Sequence, residues 1–165
     1  MKNINESWIK DNEKDYKIRD LIRIEREIDW CATAYASVFS GAPFYENWTL
    51  EEAKKIIENY IEDDSIIITT KLRVFTVGFL IALNKIPEEL KQYVGVEDAL
   101  FIEEIGTIDY LKRKGIGSEM VRYLLTGLEE KDKYIGYRTN AMRYFETNDT
   151  ESFESALIRT KAEDK

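Results

Sequence analysis

Between Ala99 and Leu128 the sequence changes character twice, and this stretch constrains the fold more than any other. Ala99 to Ile108 is an apolar run that reads as a buried strand. It breaks into a basic, glycine-punctuated loop, Lys112-Arg113-Lys114-Gly115-Ile116-Gly117, which runs into an amphipathic helix from Ser118 to Leu128. Strand, loop and helix start together predict an anion site. The first turn of a helix leaves N–H groups unpaired, and the helix dipole favours negative charge there. Glycines at 115 and 117 let the main chain approach a bulky phosphate where a Cβ would obstruct it. The pattern is not a Walker A loop, because no Gly-Lys-Ser/Thr follows at the required spacing. Nor is it a dinucleotide fingerprint, because no glycine stands at 120.

Other features narrow the chemistry by exclusion. The 165 residues contain no histidine, so His-based triads, histidine-containing zinc sites and a histidine general base are ruled out. A single cysteine, Cys31, excludes an internal disulfide and a cysteine-rich metal site, and its apolar setting reads as helical core. Acid–base work falls to carboxylates, tyrosine, lysine, the thiol or water. A net charge of −8 argues against nucleic acid as a partner and suits a cationic one, so the basic triplet 112–114 stands out as a local feature. No apolar run approaches the ~20 residues of a membrane span, and no signal peptide is evident, so a cytoplasmic location is expected.

Along the chain, residues 1–14 read as a polar leader, or one loose helix carrying Trp8, ahead of a single domain from 15 to 165. Tyr16–Ile24 alternates as a strand, and a helix from about Glu25 ends at Ser40-Gly41-Ala42-Pro43. An aromatic loop with Phe44, Tyr45 and Trp48 follows. Thr49 and Glu52 then have capping-box spacing for a helix to about Ile61. Ser65–Thr70 and Phe75–Leu83 read as an antiparallel hairpin, and Asn84–Asp98 as an excursion with a short helical piece. After the strand, loop and helix comes a further strand, Tyr134–Arg138.

The loop, basic-x-x-Gly-x-Gly between strand and helix, resembles the acetyl-CoA pyrophosphate loop of the GNAT N-acetyltransferase superfamily, usually Gln/Arg-x-x-Gly-x-Gly/Ala. Lys112 stands at the first position, keeping the charge of Arg without its planar fork. Tyr137-Arg138-Thr139-Asn140 resembles the family's Leu-Arg-Thr-Asn strand ending, and the element order matches over roughly residues 15–146, about four-fifths of the chain. The resemblance implies an α/β (α+β) fold with a mixed, mostly antiparallel central sheet flanked by helices. The family's usual Tyr-Glu-x-x-Gly-Phe continuation is missing, so residues 145–165 form a divergent tail: a helix, a segment swapped onto a partner, or the mark of a divergent subgroup.

What the resemblance implies for the site follows residue by residue. Acetyl-CoA would be the acyl donor, with no metal. Its pantetheine arm would lie along main chain at Ile105 and Thr107, and its phosphates would meet Lys112, Arg113, Lys114, Gly115, Ile116, Gly117 and Ser118, with Asn140 nearby. Strand alternation puts Phe101, Glu103, Ile105 and Thr107 on one face, which makes Glu103 the candidate general base on the groove side and Glu104 the reserve. The family often gives a tyrosine on its last helix the role of protonating the thiolate, and Tyr144 is the candidate here. Phe44, Tyr45 and Trp48, with Glu46 and Glu51 nearby, would border the acceptor through cation–π and charge contacts, or else simply staple two helix ends.

Two readings follow. One is an acetyl-CoA-dependent N-acetyltransferase acting directly on a primary amine of a small molecule or peptide, with neither nucleic acid nor membrane as partner. The other is a CoA-binding regulatory module that has kept the fold and lost turnover. The unusual tail makes a homodimer worth testing.

Overall fold

A computed structural model describes residues 7–11, 14–42, 44–92, 99–127, 134–138 and 157–161. Its centre is one seven-stranded sheet in which spatial order equals chain order: β1 (Ser7–Asp11), β2 (Lys14–Asp20), β3 (Ile66–Leu72), β4 (Phe75–Leu83), β5 (Ala99–Thr107), β6 (Tyr134–Arg138) and β7 (Leu157–Lys161). Every neighbouring pair is antiparallel except β5 and β6, which are parallel. Helices α1 (Glu25–Ser40) and α2 (Leu50–Glu62) lie between β2 and β3. A short α3 (Glu88–Lys91) precedes β5, and α4 (Ile116–Thr126) follows it.

β3 and β4 are buried along nearly their whole length, β4 as an almost continuous apolar run, because both faces of the sheet are covered. On one face Tyr16, Ile18, Leu80, Ile102 and Ile135 pack with Ile116, Met120 and Leu124 of α4. On the other, Phe79 and Ile81 pack with Cys31, Tyr35, Val38 and Phe39 of α1 and with Ala53 and Ile57 of α2. The helix starts obey their local chemistry. The Thr49–Glu52 capping box forms with both bonds, Glu52 N–H to Thr49 Oγ1 at 3.2 Å and Thr49 N–H to Glu52 Oε2 at 2.9 Å.

At the Glu25 end of α1 an ion cluster is buried. Glu27 Oε2 meets Lys71 Nζ at 2.7 Å and Arg19 Nη2 at 3.2 Å, and Lys71 also reaches Thr76 Oγ1 at 3.3 Å. Burial alone would raise the Glu27 pKa, but the bond and charge of Lys71, with Arg19, outweigh it and hold the carboxyl below its usual range.

Three expectations change. The leader supplies an edge strand at Ser7–Asp11, hairpin-paired to β2, and not a loose helix. Tail residues Leu157–Lys161 form a strand antiparallel to β6, so part of the tail extends the sheet. β2 ends at Asp20 and not Ile24, because Leu21–Ile24 leave the ladder to lead into α1, with Leu21 N–H still bonded to the Ile67 carbonyl at 2.8 Å. Among the described residues no helix is long and apolar enough to cross a membrane.

Candidate functional site

The site is made where β5 stops behaving as an ordinary central strand. Its parallel pairing to β6 runs from Ala99↔Tyr134 to Ile102↔Tyr137 and ends there, while its pairing to β4 continues to Gly78↔Thr107. From Glu103 to Thr107 the β6-facing edge therefore has no strand partner among the described residues. Backbone groups on such an edge need other hydrogen-bond partners. Ile105, on the open segment, is 43% exposed despite lying on an interior strand.

A β-bulge coincides with this parting. Ile81 pairs with Glu104 but Ala82 pairs with Ile102, so Glu103 is the extra residue. The bulge reverses the alternation expected from sequence. Before it, even-numbered Leu100 and Ile102 lie in the α4-side core. After it, odd-numbered Ile105 faces α4, its Cδ1 being the nearest atom, at 3.7 Å, to an ideal Cβ on Gly117. Gly106 is then pressed against Val38 and Phe79, and Glu104 reaches α1. Phe101 and Glu103 thus do not share the Ile105–Thr107 face. Glu103 is exposed, and its charge acts on Tyr60 and on Glu104.

Glu104 is the perturbed acid. Tyr35 Oη donates to its Oε1 at 2.9 Å, and its Oε2 is buried without a hydrogen-bond partner. Burial pushes the Glu104 pKa from 4.5 up to about 7, with the Glu103 and Glu46 charges adding to the rise and the hydroxyls of Tyr35 and Tyr60 opposing it. Tyr60 approaches the carboxylate without completing a bond of good geometry. Burial first, and then the Glu104 charge, raise both phenol pKa values well above the ordinary tyrosine range. A carboxyl titrating near neutrality is matched to proton transfer at physiological pH.

The loop after β5 has the features of an anion cradle. A 3-10 turn at Asp109–Leu111 leads into it, and Arg113 (φ 66°) and Gly115 (φ 81°) are both left-handed. Left-handed residues in a turn gather N–H groups toward one point. Helical bonding in α4 begins with Glu119 N–H to the Gly115 carbonyl at 3.0 Å, so the N–H groups of Ile116, Gly117 and Ser118 have no intrahelical acceptor. Ile116 is buried in the core and offers main chain alone, whereas Ser118 is exposed. Lys112 points elsewhere: its ammonium meets Asp109 Oδ1 at 2.6 Å and the Ala42 carbonyl at 3.4 Å. Thr107 is half-buried opposite Gly78.

The aromatic loop is divided. Trp48 packs edge-on to Tyr35 (centroids 5.7 Å), and its Nε1 donates to Glu46 Oε2 at 2.6 Å, which places it beside the acid. Phe44 packs on Phe39 at 4.9 Å, closer to a staple than a binding group. Tyr45 is 76% exposed. Tyr144 and Asn140 lie outside the described residues. Sequence reading missed Tyr35 and Tyr60 as partners of the acid. The available signal was a tyrosine on an otherwise apolar helix face, whose hydroxyl requires a partner.

No family model matches the sequence, and no curated protein matches it. Solved structures do match in fold. A GNAT family N-acetyltransferase (YhbS) from Escherichia coli in complex with CoA superposes with a TM-score of 0.60 at 14% identity, over 94% of this chain and 86% of that one. A GNAT family acetyltransferase from Brucella melitensis in complex with acetyl-CoA gives 0.57 at 10% identity, over 88% and 87%. An aminoglycoside 6'-N-acetyltransferase complexed with coenzyme A gives 0.55 at 14% identity, over 74% of this chain and 61% of its own length.

Proposed function

On the premise that the chain has the fold of the GNAT acetyltransferase superfamily, we propose that it is an acetyl-CoA-dependent N-acetyltransferase acting directly on a primary amine. The observation that carries this reading is the absence, among the described residues, of a strand partner on the β6 side of β5 after Ile102. The strand ends beside α4 N–H groups that have no intrahelical acceptor and bears the near-neutral acid Glu104. An amide-bearing arm suits the open edge at Ile105 and Thr107, and a pyrophosphate suits the N–H groups of Ile116, Gly117 and Ser118. The space in front of Gly117 fits that assignment, because an added Cβ would meet nothing closer than Ile105 at 3.7 Å. The acyl donor supplies a thioester carbonyl; everything else is asked of the chain. Glu104, whose Oε2 is buried, takes the proton of an arriving ammonium through intervening water. The free amine attacks the thioester carbonyl, the C–S bond breaks, and the CoA thiolate leaves with the second proton of the amine. Arg113, with no ion pair among the described residues, offers its guanidinium to the phosphates.

Glu104 takes the base role in place of Glu103, because the bulge leaves Glu103 exposed and buries Glu104 against α1. The acceptor, on this reading, is a cationic amine of a small molecule or peptide. Glu103, Glu104 and Glu46 stand with Trp48 and Tyr60 on the side away from α4, and the net charge of −8 draws cations. Cys31 is buried and its thiol pKa pushed up to about 12 by desolvation, which supports direct transfer over an acyl-cysteine route.

Calorimetric titration with acetyl-CoA and CoA, on wild type and Gly117→Glu, tests the reading. Micromolar binding lost in the variant supports it, and amines can then be screened by thiol release. A folded wild type that binds neither ligand would sink it.

A further inference from the structure

Tyr35 sits midway along α1 with its ring fixed in an aromatic cluster, centroids 4.6 Å from Phe39, 5.5 Å from Phe79 and 5.7 Å from Trp48. Its hydroxyl leaves that cluster toward β5 and donates to Glu104 Oε1 at 2.9 Å. The other carboxylate oxygen, Oε2, is buried with no hydrogen-bond partner. An unpaired buried oxygen is costly, so a structure that keeps one holds it in place by packing. The two oxygens thus have different roles: one is held by the scaffold and the other is left over.

We propose that Tyr35 is a positioning residue for Glu104: it fixes Oε1 from α1 and so sets the pH at which the carboxyl can accept the acceptor's proton, and its ring ties the carboxyl to Trp48 and the acceptor loop. The clause about the acceptor rests on the acetyltransferase reading; the control of the carboxyl by Tyr35 does not. Facing Glu104 are Tyr35 from α1, Tyr60 from α2, Glu46 from the loop between those helices, Glu103 on its own strand and the apolar Ile81 opposite on β4. The two neighbouring carboxylates disfavour ionisation. The Tyr35 hydroxyl is the donor of good geometry that favours it, as a hydrogen bond to a charged acceptor does. Tyr35→Phe keeps the ring and removes that donor alone. The carboxyl should then ionise at a pH about 1–2 units higher. At pH 7 the ionised fraction, and kcat/KM with it, should fall about 5- to 50-fold and recover about one pH unit above the new midpoint.

The test follows the Glu104 side-chain carboxyl by carbon NMR across pH in wild type, Tyr35→Phe and Tyr60→Phe, beside the pH profile of kcat/KM. The expected result is an upward shift of the midpoint in Tyr35→Phe, a smaller one in Tyr60→Phe, and an acid limb that moves with the midpoint. A folded Tyr35→Phe whose Glu104 midpoint is unchanged overturns the proposal, because a ring that only packs would behave in that way. A shifted midpoint with an unshifted acid limb overturns the acceptor clause. The NMR arm needs no turnover, so a wild type that transfers no acetyl group counts against the functional reading while the midpoint still decides the role of Tyr35. Should Tyr35→Phe fail to fold, 3-fluorotyrosine incorporated at Tyr35 gives a stronger donor, and the midpoint must then move down.

Discussion

Replacing Glu104 by Gln should weaken the proposed acetyl transfer and stabilise the protein, with the second effect growing as pH rises to neutral and alkaline values. The Glu104 carboxyl is raised from 4.5 to about 7, chiefly because burial penalises its charged form. At ~1.36 kcal/mol per unit, that difference is worth about 3 kcal/mol. The native state therefore holds a proton between pH 4.5 and about 7 that the unfolded chain has given up. Stability falls as pH rises through this window, and the whole penalty is present above it. Gln has nearly the same shape, offers Tyr35 an acceptor oxygen and cannot ionise. Urea unfolding at pH 5 and pH 8.5 measures the effect as a difference of differences: Glu104→Gln should gain about 2.5 kcal/mol on wild type between the two conditions, because part of the penalty is already present at pH 5. In parallel, the wild-type acid limb of kcat/KM near pH 7 should vanish and the plateau drop by about 10²–10⁴. Parallel pH dependences of stability in the two proteins would refute the burial argument. An acid limb retained by the variant would remove Glu104 as the base.

Further outcomes follow from packing, charge and backbone geometry. Gly106→Ala would place a Cβ 2.6 Å from Val38 Cγ1 and 3.0 Å from Phe79 Cζ, and should cost about 1–3 kcal/mol in chemical denaturation while pushing α1 off the site. Glu27→Ala leaves Lys71 and Arg19 buried without their carboxylate and should cost about 3–5 kcal/mol. The stability that Glu27 itself contributes, present above pH 4.5, is lost as pH falls through its lowered pKa, which acid titration of wild type against Glu27→Gln would reveal. Gly115→Ala meets no atom within 4 Å, so its loss of about 1–2 kcal/mol should come from the left-handed backbone alone, and thermal unfolding measures it. Thr49→Ala removes a formed capping box and should cost about 1 kcal/mol in the same assay.

Much of this architecture was legible because it rests on local rules. A Thr and a Glu three apart make a capping box wherever a helix can start, and two β-branched runs around a tight turn make a hairpin. The turn from β5 into α4 was legible for the same reason, since glycine, positive charge and a helix start sit within a few residues of one another. What escaped was set by pairing across the sheet. Polar residues 1–14 gave no strand signal because Ser7–Asp11 is an edge whose partner, Lys14–Asp20, supplies the order. The tail strand Leu157–Lys161 depends likewise on β6.

The acid pair shows the limit most sharply. Glu103 and Glu104 are adjacent, chemically near-identical, and separable by alternation only if β5 alternates throughout. The register with β4 inserts one unmatched residue between Ile102 and Glu104, and no feature of FIEEIGT announces it. That single residue turns Glu104 under α1, where burial and Tyr35 act on it, and turns Ile105 to the α4 side beside Gly117. The parting from β6 begins at the same place, directly after Ile102. A regular strand of the same sequence would have kept Glu104 off the α1 face. One unmatched residue therefore accompanies both requirements of the proposed chemistry, an open edge for an amide-bearing arm and an acid held near neutrality. Deleting Glu103 should separate the two. Ile102 and Glu104 would stay opposite Ala82 and Ile81 in a regular ladder, so Glu104 keeps the α1 face and its raised midpoint, while acetyl-CoA binding should be lost if the bulge is what opens the edge. A deletion variant that folds and still binds acetyl-CoA would show that the bulge does not open the edge, and one whose Glu104 midpoint returns to 4.5 would refute the register argument.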